Sequence, residues 1–366
     1  MKRIKRMFTL MVAVLSVMVG GAKAFASEFS FAVTPTIPEN QIDKNKTYFD
    51  LQLNPDQKQT VYVELRNDLD REVKVNVAVN SAKTNSNVIV EYGNNKTKAD
   101  KSLKYDLTHY VKAPKQVTLK SKSAMRVPFE LTMPKETFNG VMAGGITFKE
   151  AKTEKETTKD SDSKGLAIEN EYSYVVALLM RQNTQSVTPD MILHTVKPGQ
   201  INARNVILAN LQNNQMTYIN QVTMDASITQ KGDSKVLYEA HKDSLQVAPN
   251  TNFDFPVPLN GEPLKPGDYH LKMVINGNKA ADGQYVRGKD ADGKAIHFQN
   301  QWIVEKDFSI NGDVARKLND KDVTIKKDYT WVFILIGILL LLVVLLIIWL
   351  IWRKKKKDEE EERKAE

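Results

Sequence analysis

The chain of 366 residues contains no cysteine. Disulfides, thiolate metal sites, thiol nucleophiles and a lipidated N-terminal cysteine are therefore excluded. Histidine is scarce: His109, His194, His241, His270 and His297 are the only five, and none pair at metal-ligand spacing. Also missing are a Gly-x-Ser-x-Gly elbow, a His-Glu-x-x-His pair, a glycine-rich phosphate loop and a complete EF-hand. Long amphipathic helices are lacking too; only residues 103–111 could hold a helical turn or two. Nothing in the chain asks for a cofactor.

Charge of one sign is lacking where a nucleic acid would need it. The whole chain has 52 basic and 44 acidic side chains. Residues 1–26 hold five basic and no acidic ones, and residues 353–366 hold seven basic and six acidic ones. The region between carries 40 basic and 38 acidic groups, too balanced for a basic stripe that would bind nucleic acid.

Two apolar runs set the topology. Residues 1–26 combine a basic start, an uncharged stretch over 7–22 and Ala24-Phe25-Ala26, which reads as a cleaved signal peptide. Residues 331–352 carry no charge and as a helix would span about 33 Å, enough to cross a bilayer. Tyr329, Trp331, Trp349 and Trp352 stand at its ends as interface anchors, followed by Arg353, Lys354 and three further lysines. That basic run favours the inside, placing residues 27–328 outside and 353–366 in the cytoplasm. No Leu-Pro-x-Thr-Gly signal for covalent wall attachment precedes the helix. This layout without disulfides suits the surface of a Gram-positive cell.

The region between alternates with period two. Val61, Val63 and Leu65 share one face, and Val73, Val75, Val77 and Val79 another, with Asn67-Asp68-Leu69-Asp70 between them reading as a hairpin. Met125, Val127, Phe129, Leu131 and Met133 share a face opposite Pro128, which suggests an edge strand. Residues 172–180 are apolar on both faces, as in a central strand. Further series run through Val222 to Ile228, Phe253 to Leu259, Tyr269 to Ile275 and Trp302 to Ile310. Many short strands with turn signals read as all-β, and the length suits two immunoglobulin-like sandwiches in tandem plus one C-terminal transmembrane helix. The expected divisions are 27–150 for the first sandwich, a polar linker or long hairpin loop over 151–167, and the second sandwich over 168–310. A stalk over 311–328, the helix over 329–352 and the tail follow.

Two motifs come close to chemistry. Ser161-Asp162-Ser163-Lys164 matches a Ser-x-x-Lys nucleophile pattern, but it lies in the polar segment without its companion motifs. Asp290-Ala291-Asp292-Gly293 opens like a calcium loop, yet Lys294 and Gln301 stand where acidic ligands belong, so Asp292-Gly293, like Asp282-Gly283, reads as a hairpin turn.

Several segments taken in order resemble a known family. They are Phe31-Ala32-Val33-Thr34-Pro35 with Ile37-Pro38-Glu39-Asn40-Gln41, Met133-Pro134, and Phe138-Asn139-Gly140-Val141-Met142-Ala143-Gly144-Gly145-Ile146. Ile168-Glu169-Asn170-Glu171-Tyr172-Ser173-Tyr174, Ala248-Pro249-Asn250-Thr251 and Leu264-Lys265-Pro266-Gly267-Asp268-Tyr269 follow. Across residues 29–310 the chain resembles the WxL-interacting proteins of Gram-positive surfaces. The resemblance implies a non-enzymatic role, a first domain that binds peptidoglycan, a second named for host molecules, and a secreted WxL-domain partner. No tryptophan here starts a Trp-x-Leu triplet, so the chain takes the receptor's side. Family motifs assign no binding residues. Tyr62 and Tyr92, aromatics read as facing away from a core, are the candidates for sugar or protein contact. Two rival readings are a wall hydrolase with a spatially assembled carboxylate pair and a membrane-tethered chaperone for exported proteins.

Overall fold

The computed structural model describes residues 30–94, 97–151, 172–325 and 330–365, with side chains only as far as Arg353. Residues 1–26, expected to be a signal peptide, most of the polar segment with its Ser161 motif, and Tyr329 lie outside the described residues.

Eleven strands build the first sandwich and its appendage: β1 (Ala32–Thr36), β2 (Phe49–Gln52), β3 (Lys58–Asn67), β4 (Val73–Ser81), β5 (Lys83–Thr84), β6 (Val90–Glu91), β7 (Val111–Lys112), β8 (Gln116–Leu119), β9 (Ser123–Thr132), β10 (Met142–Glu150) and β11 (Ser173–Arg181). One sheet runs β1-β3-β9-β7 and faces a second ordered β2-β11-β10-β4-β8. Val61, Val63 and Leu65 point inward from one sheet and Val73, Val75 and Phe148 from the other, sealing one core. The alternation therefore predicts faces correctly but not partners. β3 and β4 belong to different sheets, so Asn67-Asp68-Leu69-Asp70 is no hairpin but an arch between layers. Buried Asn67 holds it, donating to the Arg71 and Lys120 carbonyls and accepting from the Leu69 N–H.

β11 corrects the expected domain division. It pairs antiparallel with β10 and parallel with β2, so residues 173–181 complete the first sandwich instead of opening the second. Its two apolar faces reflect this central place between two neighbours. Pro128 is tolerated because β7 reaches only Glu130 and Leu131 of β9, leaving the proline's outer flank without a ladder partner.

The second sandwich contains β12 (Ile192–Ile201), β13 (Arg204–Asn213), β14 (Ile219–Gln230), β15 (Val236–Val247), β16 (Thr251–Pro258), β17 (Gly267–Lys279), β18 (Tyr285–Lys289) and β19 (Ala295–Ile310). A sheet ordered β12-β13-β16 covers one ordered β15-β14-β17-β19-β18. Pro256 and Pro258 sit on β16, an edge strand. Gly293 adopts φ +78° in the β18–β19 turn, where Asp290 accepts from the Asp292 and Lys294 N–H groups. Asp282-Gly283 is a turn too, but it joins β17 to β18, which are not neighbours.

The expected stalk is largely folded. Helix α1 (Gly312–Asn319) is capped by Asn311 and buries Ala315 against the second core. Asn319 exchanges hydrogen bonds with the Leu264 backbone, and Asp322 accepts from the Asn205 N–H at 2.6 Å. Its charged sequence hides this docking, because few of its side chains turn inward. The final helix, α2 (Thr330–Ala365), contains the one span among the described residues long and apolar enough to cross a membrane, Thr330–Arg353.

Candidate functional site

The first sandwich presents three surfaces. On the outer face of β3, Tyr62 is 37% exposed, and the Arg126 guanidinium lies 4.4 Å from its ring centroid. One ring face is thus taken by a cation–π contact. An open groove of about 530 Å³ runs between β1 and β11, lined by Val33, Pro35, Tyr174, Val175 and neighbouring lysines. A second groove, at the end of the same sandwich, is lined by Asn40, Gln41, Ile42, Gln52, Asn54 and Gln57.

Tyr92 is half-buried at the junction between the two sandwiches. Its hydroxyl lies 3.2 Å from that of Tyr218 in the second sandwich, and burial raises the pKa of both phenols. It belongs to an apolar seam of Ala82, Val141, Ala143, Leu179 and Ala248 that joins the two sandwiches. Alternation placed Tyr92 opposite an apolar face, but a second domain covers that side.

The junction is elaborate. The β5–β6 hairpin projects from the first sandwich and inserts Val88, fully buried at φ +62°, into the second core. Thr84 donates through its N–H to Thr251 and accepts from the Ala248 N–H, both at 3.0 Å. Asp100 accepts from Gln212 at 2.8 Å and Asn252 at 2.6 Å across the junction. Burial pushes the Asp100 carboxyl up, but hydrogen bonds from Asn252, Ser102 and Gln212 together outweigh it and hold the pKa below its ordinary value. At Gly140, φ is +97° and an added Cβ would meet the Met216 carbonyl oxygen at 2.3 Å. Glycine is required there by both conformation and contact.

The second sandwich exposes a charged sheet face. Asp225 accepts from Arg287 and from the His241 ring, each at 2.8 Å. His270 lies 2.7 Å from Asp307, which also pairs with Lys231. These histidines each lie in hydrogen-bond contact with a carboxylate, at separate places. No group of three His, Asp or Glu side chains among the described residues could hold a metal.

On the final helix, Trp331, Trp349 and Trp352 are exposed, and the Arg353 guanidinium lies 5.3 Å from the Trp349 ring. Lys354 continues the same helix. The amide side chains of the second groove escaped the sequence reading. Their only signal is the density of Asn and Gln over residues 40–59, which matches no motif.

Comparison with known proteins also divides the chain in two, with β11 falling on the second side of the division. A family model described as "WxL Interacting Protein, peptidoglycan binding domain" matches residues 31–150. One described as "WxL Interacting Protein, host binding domain" matches residues 163–320. No curated protein matches the chain. Among solved structures, the class 5 fimbriae chaperone CfaA is 12% identical, over 75% of this chain and 98% of its own, with a TM-score of 0.28. The Escherichia coli chaperone DraB is 13% identical, over 77% and 97%, with a TM-score of 0.26.

Proposed function

The chain belongs to the WxL-interacting protein family, and from that premise we propose a non-enzymatic adaptor, held in the membrane by α2 and displayed outside the cell with its C-terminus in the cytoplasm. Its first sandwich binds peptidoglycan, and its second binds a secreted WxL-domain protein and, at the surface, host molecules. The carrying observation is that both family domains occur in family order along one chain. The apolar span Thr330–Arg353, with tryptophans near both ends and a basic run behind it, supports the anchoring.

The test uses the full chain in detergent micelles, mixed with purified sacculi and then with a WxL-domain protein. The adaptor should sediment with the sacculi, capture the partner in the same complex and release no muropeptides. Sustained release would replace this reading with the hydrolase. Equal capture of assorted unfolded proteins would replace it with the chaperone.

A further inference from the structure

We propose that the amide-lined groove of the first sandwich binds the amino-sugar glycan of the wall, with Gln52, Asn54 and Gln57 making the polar contacts. This rests on the wall-binding reading above and goes further by naming the place and the chemical class. The groove is open to solvent, with a volume of about 560 Å³.

Its amides divide into two sets. The first set builds the floor. Gln41 is buried and fully used, donating to the Asp43 and Tyr48 carbonyls and accepting from the Asp50 N–H. Asn40 and Gln59 form a reciprocal amide pair at 2.9 and 2.8 Å, and Asn40 also donates to the Gln52 carbonyl. The second set is unspent. The side chains of Gln52 and Asn54 have no hydrogen-bond partner among the described residues. Gln57 uses only its oxygen, which accepts from the Asn54 N–H at 2.7 Å. That bond, with the Asp56 N–H bonded to the Pro134 carbonyl, fixes the turn carrying two of the free heads. The backbone beneath the heads is thus fixed, and binding costs only the rotamer freedom of the side chains themselves.

The chemistry selects the ligand. A primary amide offers two donors and a carbonyl acceptor. Sugar hydroxyls and acetamido groups likewise donate and accept, so the free Gln52 and Asn54 heads, with the Gln57 NH₂ group, match a glycan's edge. Ile42, 41% exposed at the groove, offers apolar surface to a ring's C–H face or an acetamido methyl. No ionisable side chain lines the groove. Charged stem peptides would call for complementary charge there, so the uncharged sugar chain is the better fit.

The test compares the full chain in detergent with its Gln52→Ala/Asn54→Ala variant, against sacculi and against a soluble tetrasaccharide of N-acetylglucosamine. Both side chains are exposed and unbonded, so the melting temperature should not move. We expect the wild type to bind both probes and the variant to lose at least tenfold in affinity for each. If wild type and variant bind sacculi equally, the groove assignment falls while the wall-binding reading stands. Binding of sacculi without the tetrasaccharide overturns the glycan class. If the wild type binds neither, the wall-binding reading itself fails and takes the groove with it.

Discussion

Asp100 shows how one carboxylate can join two domains. It takes hydrogen bonds from Gln212 and Asn252 of the second sandwich and from the Ser102 N–H beside it. Changing it to Asn turns an acceptor-only group into one that aims an NH₂ at donors. The Asp100→Asn variant should lose about 1–3 kcal/mol of unfolding free energy at neutral pH, from hydrogen bonds to a charged group and the donors left unpaired. The pH dependence has a definite sign. The folded pKa lies below the unfolded value, so the carboxylate's contribution is complete above the ordinary aspartate range of about 3.9 and fades as pH falls through the folded pKa. Urea unfolding of the full chain at pH 7 and in strong acid should show wild type and variant well apart at pH 7 and converging in acid. A gap that persists undiminished in acid would assign the loss to packing instead of charge.

The β5–β6 hairpin is the element that makes the junction more than a surface contact. Its tip places an apolar β-branched residue at positive φ inside a neighbouring core, a conformation such residues rarely adopt. Val88→Asp would bury a carboxylate in the apolar second core, where charge without a partner costs several kcal/mol. The shared unfolding transition should then move to clearly lower urea; an unchanged profile would mean that the tip is not inserted in solution. Sequence gave little sign of this element, because two-residue strands leave no periodicity. The long strands were legible, since Val61, Val63, Leu65, Met273 and Ile275 alternate as half-buried strands must. Their pairing was not: a period of two tells which side chains share a face, but not that β3 and β4 lie in opposite layers. β11 returns to the first sandwich across a polar segment, and nothing local encodes a partner that distant. Helix α1 was hidden for the opposite reason, because only Ala315 and Leu318 turn inward and the rest reads as stalk. At the candidate sites, Tyr62 is on the surface as alternation implied, whereas Tyr92 is half-buried beside a second domain that alternation cannot see.

At the scale of the molecule, the junction decides whether the outer part behaves as two beads or one body. The apolar seam, the inserted tip, the paired Thr84 and Thr251 and the Asp100 bridge all cross it, and disrupting either sandwich strips partners from the other. On the proposed reading one sandwich is held by the wall while α2 is held by the bilayer, so tension between them passes through this junction. Independent sandwiches on a loose linker would swivel under that load; a shared core and shared hydrogen bonds resist it. Coupling of this kind predicts cooperative unfolding. Calorimetry of the full chain in detergent should show the β-structure melting in a single transition, with calorimetric and van't Hoff enthalpies in agreement. Combining Val88→Asp with Asp100→Asn should split that transition in two, the first sandwich persisting to the higher temperature. Two transitions already present in the wild type would mean that the sandwiches unfold separately and that the junction orients them without coupling their stability.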